Sequence, residues 1–170
     1  MSRGGAGSGR AARGLGRFFG ALTGRATLPL VAAGVAGALM AVQGTLNSVL
    51  AKVVGLLEAS FVVQVLGGVT AALLLYLFRL GQGSMAAVGG APWYSLLGGP
   101  IGLAIVYGVA FGIGQAGVAR ATTAIIIGQV STAVLIDSLG LFGAEMVPFR
   151  WTKLAGVVLL AVAGWLMLRR

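Results

Sequence analysis

Residues 28–50 read LPLVAAGVAGALMAVQGTLNSVL, an apolar run that contains no charged side chain. At 1.5 Å per residue an α-helix of this length extends about 35 Å, which is enough to cross a hydrocarbon core roughly 30 Å thick. The alternative is a signal peptide, because cationic residues precede the run and Ala36-Gly37-Ala38 resembles a cleavage site. The apolar run continues well beyond that tripeptide, so the stretch predicts a first transmembrane helix.

Four further apolar runs follow. The first connection carries Lys52 and Glu58, Arg120 alone marks the turn before the fourth run, and the other connections contain charged residues, glycine or proline. The predicted bounds of the four runs are 59–78, 93–119, 121–143 and 151–168. None of them shows the two-residue alternation of a barrel strand, and an open sheet edge cannot face lipid. The sequence therefore predicts an all-α polytopic membrane protein, a bundle of five transmembrane helices.

The composition agrees with a chain that lives in lipid. Hydrophobic residues make up 58% of it and charged residues 9%, and the mean hydropathy is +1.01. A soluble domain is roughly half apolar and a quarter charged. Cysteine and histidine are absent, which removes disulfides, thiolate metal sites and the commonest metal ligand and general base. With no nucleophile–base pair and no phosphate-binding loop either, we expect neither an enzyme nor a bound cofactor or metal.

Arginine is concentrated before the first span. The net charge is +9, and five of the twelve cations are Arg3, Arg10, Arg13, Arg17 and Arg25. This distribution is typical of a membrane protein with a cytoplasmic N-terminus and not of a face that binds nucleic acid. Residues 1–26 are predicted to be a disordered Arg/Gly-rich cytoplasmic tail, and residues 27–170 the transmembrane domain.

The orientation of the helices depends on that tail. With the N-terminus inside, eight cations lie on the cytoplasmic side and four outside, which favours this orientation. Without the tail arginines the count becomes three against four. The helical body alone therefore has almost no preferred orientation.

A few polar residues lie inside the predicted spans, where hydrocarbon offers them no partner. They are Gln43, Asn47, Gln64, Gln129 and Asp137. Gln43 and Asn47 are four residues apart and share a helix face, and Gln129 and Asp137 are eight apart and do the same. We predict that these side chains line a substrate or ion pathway in a common interior.

Each of these residues also has a purely structural interpretation. An amide such as Gln64 can serve only to join two helices. Asp137 can form an ion pair with Lys153 or Arg150 near the cytoplasmic boundary. Both interpretations of Asp137 stay open from the sequence.

Small residues recur at four-residue spacing in the third run. They are Gly98, Gly102, Gly108 and Gly112. This spacing lets helix backbones approach closely in lipid, so we predict that these glycines mediate helix packing.

Three segments carry a resemblance to a known family. They are AVQGTLNSVL at 41–50, LGGPIGL at 97–103 and GQVSTAVLIDSLGLFG at 128–143, and Gly128-Gln129 followed by Ile136-Asp137 and Gly140 is the most specific element. They resemble the half-size YdcZ-like family of the drug/metabolite transporter (DMT) superfamily. The resemblance implies a multi-pass exporter of the bacterial inner membrane whose substrate is unassigned. The first-helix glutamate of the related small multidrug resistance proteins has no counterpart here, which argues against drug/proton antiport of that simple kind.

Five helices correspond to one half of a ten-helix inverted-repeat transporter, and the ten-helix members of the resembled superfamily look like fusions of two such halves. We therefore expect a homodimer, or a heterodimer with a related five-helix chain. An inverted homodimer needs a chain that inserts in both orientations, and the tail arginines favour the heteromeric partner over such dual topology. The predicted function is transport of a small-molecule substrate. The alternative is a non-transporting membrane subunit that scaffolds or anchors a partner protein.

Overall fold

A computed structural model describes residues 27–169 of the chain, and the predicted disordered tail, residues 1–26, lies outside the described residues. The described residues form helices and connections and contain no strand. The α-helices are α1 (Thr27–Val54), α2 (Leu56–Ala72), α3 (Gly98–Ala116), α4 (Val118–Leu139) and α5 (Trp151–Leu168).

All five predicted spans are confirmed, because five helices are long and apolar enough to cross a membrane. The second span is α2 continued by a π-helical turn and covers Leu56–Leu77. The third begins with a 3₁₀ turn, Trp93–Leu97, and covers Trp93–Ala116. The fifth has the predicted bounds, Trp151–Leu168.

The connection between α1 and α2 is shorter than predicted, because it consists of Gly55 alone. The sequence suggested a charged connection containing Lys52 and Glu58, and both residues instead lie in the helices. Gly55 has a φ of 99°, a conformation that glycine adopts without steric cost. Its N–H donates to the carbonyl of Ala51, and its own carbonyl accepts from the N–H of Ala59.

The connection between α3 and α4 repeats this turn at Gly117, whose φ is 85°. The sequence placed the turn at Arg120, which lies instead in the first turn of α4. The N–H of Gly117 donates to the carbonyl of Ile113 at 2.9 Å, and its carbonyl accepts from Ala121 at 3.1 Å. Arg120 was therefore a poor marker of the turn. A long cationic side chain at a helix end can reach toward water while its backbone stays helical.

The fourth helix ends four residues earlier than predicted. Gly140 adopts the left-handed conformation, with a φ of 60°, and its N–H donates to the carbonyl of Ile136. A glycine in this conformation is a common helix terminator, and here it stops α4 at Leu139. A short 3₁₀ turn, Leu141–Gly143, follows.

Packing within the chain is strongest between helices that are consecutive in sequence, namely α2 with α3, α3 with α4, and α4 with α5. By its internal contacts the chain divides into two units, and the boundary between Val42 and Gln43 falls within α1. Described residues of the first unit include exposed apolar side chains such as Leu28 and Leu39. Such side chains suit contact with lipid, which is as apolar as they are.

Aromatic side chains lie at one end of the helices in residues 43–169. The rings of Tyr94, in the 3₁₀ turn before α3, and Phe142, just after α4, lie 6.4 Å apart between centroids. Phe149 and Trp151 pack edge to face at 5.7 Å beside the start of α5. We call this the aromatic end. Such residues favour the membrane–water interface, so this end lies at one surface of the bilayer.

The opposite end contains the Gly55 and Gly117 turns and the last turn of α5, and we call it the corner end. Thr123, in α4, donates its hydroxyl to the sulfur of Met167 in α5 at 3.5 Å. The guanidinium of Arg169 stacks 3.9 Å from the ring centroid of Trp165, a second arrangement suited to the interface.

Candidate functional site

The polar face of α1 lies against α3. Asn47 is 5% exposed and Ser48 is 7% exposed, whereas Gln43 is exposed. A Cβ atom at Gly44 would lie 2.6 Å from Val109 of α3, so the two helices approach closely there. The buried stripe is formed by Gly44, Asn47 and Ser48, and Gln43 lies beside it and not within it.

Gln64 lies in α2, beside a cleft of about 370 Å³ between α2 and α3. The other lining residues are Phe61, Val65, Gly99, Pro100 and Leu103. The amide nitrogen of Gln64 lies 3.5 Å from the position that a Cβ at Gly102 would occupy. Gln64 therefore sits over a glycine of α3 but stays exposed in the single chain.

Three of the predicted pathway amides lie deep within the spans. At 1.5 Å per residue, Gln43 is about 16 Å from the end of α1, Gln64 about 12 Å from the start of α2, and Gln129 about 15 Å from the end of α4. All three are exposed in the single chain. Their depth places them in the hydrocarbon region and not at the headgroups.

Asp137 lies closer to the membrane surface than the predicted helix end implied. It is two residues before the end of α4, about 3 Å along the axis. Its carboxylate pairs with the Nζ of Lys153 in the first turn of α5 at 3.2 Å. Of the two predicted cations, Lys153 forms the pair. A carboxylate is disfavoured at a helix C-terminus, where the dipole is negative, and Lys153 offsets that repulsion.

The loop between α4 and α5 is also hydrogen-bonded to Asp137. The N–H of Val147 donates to the carbonyl of Asp137 at 2.8 Å, which satisfies one of the free carbonyls at the end of α4. Next to it, the hydroxyl of Ser138 is buried without a hydrogen-bond partner among the described residues. Asp137 therefore joins α4 to the loop through its backbone and to α5 through its side chain.

Within one chain the five predicted pathway residues do not form a single buried cluster. Asn47 is buried, Asp137 is half-buried in its ion pair, and Gln43, Gln64 and Gln129 are exposed. The common interior therefore stays a prediction.

The four predicted packing glycines differ in their surroundings. A Cβ at Gly102 or Gly112 would contact a neighbouring helix, at 3.5 Å from Gln64 and 3.6 Å from Ala121 respectively. A Cβ at Gly98 or Gly108 would meet no described atom within 4 Å, so for these two a packing role stays a prediction.

Two closer contacts involve glycines that the sequence analysis did not single out for a site. Gly44 approaches α3, and buried Gly164 approaches Ile127 of α4. Gly44 could have been found, because Ser48 follows it at the four-residue spacing typical of helix contacts. Gly164 has leucine four residues away on either side, so no such signal marks it.

A second cavity, of about 230 Å³, opens at the corner end. The residues that line it are Ser48, Ala51, Lys52, Leu56, Ala110, Phe111, Gly114 and Gln115. They come from the end of α1, the start of α2 and the end of α3. Sequence analysis missed Ser48 and Lys52, because a serine and a lysine near a helix end usually indicate only solvation. Among the described residues, no group of three His, Cys, Asp or Glu could hold a metal ion.

A family model described as "Putative inner membrane exporter, YdcZ" matches residues 28–166, nearly the whole extent of α1 to α5. The chain belongs to the YdcZ family. No curated protein and no solved structure matches it. YdcZ membership and the five spans together make it a multi-pass inner-membrane protein of a family of membrane exporters.

Proposed function

We propose that the chain exports a small metabolite or drug-like molecule across the bacterial inner membrane, and that the working unit is a dimer. The observation that supports this is the position of Gln43, Gln64 and Gln129, which lie deep in three spans and are exposed in the single chain. An amide that faces hydrocarbon is costly. A second chain that covers these faces would shield the amides from lipid and would enclose a polar path at mid-depth.

The partner is a second copy or a related five-helix chain of opposite orientation. The tail arginines favour an N-terminus in the cytoplasm, which would place the aromatic end inside and the corner end outside. In this arrangement Asn47 and Gln43 extend the path along α1 toward the outside, and Gln129 and Asp137 extend it along α4 toward the cytoplasm.

The test is transport by purified protein in reconstituted vesicles, with a panel of metabolites and drug-like molecules. We expect the wild type to move at least one compound, and Gln64→Leu and Gln129→Leu to reduce its rate about tenfold or more, because each removes a polar group from the path. Gln82→Leu is the matched control, since Gln82 lies in the loop between α2 and α3.

A folded protein that moves no compound in the panel would support the alternative, a membrane subunit that anchors a partner. Equal rates in the wild type and both span variants would remove the amides from the path.

A further inference from the structure

The cavity at the corner end combines three polar side chains with an apolar wall. Ser48 and Lys52 are four residues apart in α1 and therefore share a face, and Gln115 comes from the end of α3. Leu56 and Phe111 supply apolar surface. An apolar pocket with a few convergent polar groups is the usual form of a small-molecule site.

Ser48 carries the strongest indication of a ligand. It is 7% exposed, it lines the cavity, and its hydroxyl makes no hydrogen bond to another described residue. Most buried residues of this kind use their hydroxyl group in a hydrogen bond, and the hydroxyl of Ser48 is instead open to the cavity. The hydroxyl lies 3.3 Å from the position of a Cβ at Gly114, so only a glycine there leaves the space beside it open. The hydroxyl of Ser48 is therefore available to a ligand in the cavity.

Lys52 brings positive charge to the same space. Among the described residues it forms no ion pair. The nearest acid along the chain, Glu58, does not line the cavity, and its carboxylate lies instead against Gly55. The ammonium of Lys52, the hydroxyl of Ser48 and the amide of Gln115 can all donate hydrogen bonds to one anionic group.

The size of the cavity limits the rest of the ligand. A cavity of about 150 Å³ holds benzene, so the 230 Å³ found here accommodates a ring-sized apolar body with one small charged group. Phe111 and Leu56 are placed to contact that body.

We propose that this cavity binds a small organic carboxylate, with the carboxylate held by Lys52 and Ser48 and a compact apolar body against Phe111 and Leu56. The proposal rests on the proposed export, because it names the class of molecule that is carried. If the N-terminus is cytoplasmic, the site lies on the release side.

The test uses benzoate as the probe, with benzamide as its neutral counterpart. Binding is measured by calorimetry on the full-length protein in nanodiscs of phosphatidylcholine, which carries no net charge. We expect benzoate to bind the wild type about tenfold more tightly than benzamide. Lys52→Met should weaken benzoate binding about tenfold or more and leave benzamide binding unchanged, and Ser48→Ala should weaken it severalfold.

Arg120→Gln is the matched control, because Arg120 is a cation at the same end of the helices that does not line the cavity. It should bind benzoate like the wild type, and Lys52→Arg should retain most of the affinity. Thermal melting of each variant separates loss of binding from loss of fold. Ser48→Ala is expected to fold, since Ser48 makes no hydrogen bond to another described residue.

Equal affinity for benzoate and benzamide, or unchanged binding in Lys52→Met, would overturn the proposal. Displacement of benzoate by added phosphatidylglycerol would also overturn it, because the cavity would then hold a lipid headgroup. Binding without transport of any compound would retain the site and refute the proposed export. Transport of other compounds without benzoate binding would retain the proposed export and refute the carboxylate site.

Discussion

At the scale of single residues, Asp137 has two possible roles, ion coupling in transport and a structural ion pair, and a substitution can distinguish them. Its ion pair with Lys153 is partly exposed, with the two side chains 47% and 27% accessible, respectively. Such a pair is worth about 1 kcal/mol or less. A role in transport and a role in stability therefore predict different results for the same substitution.

If Asp137 couples ion movement, Asp137→Asn should abolish transport while the melting temperature and the amount of inserted protein stay close to wild type. Vesicle transport and thermal melting are the two measurements. Glu145→Gln is the control, because Glu145 lies in the loop after α4. Restored transport in the charge-swapped pair Asp137→Lys with Lys153→Asp would instead assign a structural role to Asp137.

Gly44 gives a prediction about packing. A side chain there would meet the methyl groups of Val109 and Ile113 at 2.6 and 2.7 Å. Gly44→Val should therefore lower the free energy of unfolding by about 1–3 kcal/mol, as overpacking does. Gly34→Val in the same helix introduces the same side chain where no described atom lies within 4 Å. Denaturant unfolding of both variants gives the comparison, and equal losses would mean that α1 and α3 do not touch at Gly44.

At the scale of helices, the two single-glycine turns explain why the connections were mispredicted. Hydropathy marks where a span must be, and it predicted all five. It cannot mark where a helix stops, because the backbone at Gly55 and Gly117 is what breaks the helix while the charged residues nearby remain helical. The fifth helix was predicted with correct bounds since Pro148, Arg150 and Arg169 flank it closely.

The Gly117 turn can be tested without steric interference, because a Cβ there would meet no described atom within 4 Å. Its φ of 85° is one that residues with a side chain rarely adopt. Gly117→Ala should therefore destabilise the protein by about 1 kcal/mol or more. Gly156→Ala, in the interior of α5 and also without close neighbours, should be neutral or stabilising. Thermal melting that ranks the two variants in the opposite order would contradict the assigned backbone conformation.

At the scale of the whole molecule, the sequence could predict the class of protein but not the contacts of its site. The polar residues of α1 and α4 were recognisable because lipid makes them costly. Which of them is buried depends on the partner helix, and Asn47 and Ser48 are buried because Gly44 lets α3 approach. The sequence could not assign Lys52 to a binding site, because the cavity that it lines is formed by the ends of three different helices.

The orientation of the whole chain is a separate prediction. Since the chain has no cysteine, a single one can be introduced by Gln82→Cys in the loop between α2 and α3. We expect a membrane-impermeant maleimide to label it only from the cytoplasm, because the tail arginines favour an N-terminus inside. Labelling from both faces of the membrane would instead show that the chain inserts in both orientations.

The turns at Gly55 and Gly117 also determine where a water-soluble protease can cleave the chain. Each turn is one residue long, and its N–H and carbonyl are both hydrogen-bonded within the chain. A protease needs several residues of extended backbone to fill its cleft, and neither turn offers them. The connection from Leu80 to Pro92, at the other surface, contains a 3₁₀ turn, Met85–Gly90, but the residues before it, 80–84, are not helical and do offer them. Limited proteolysis of sealed vesicles should therefore cut the described part of the chain from one face of the membrane only.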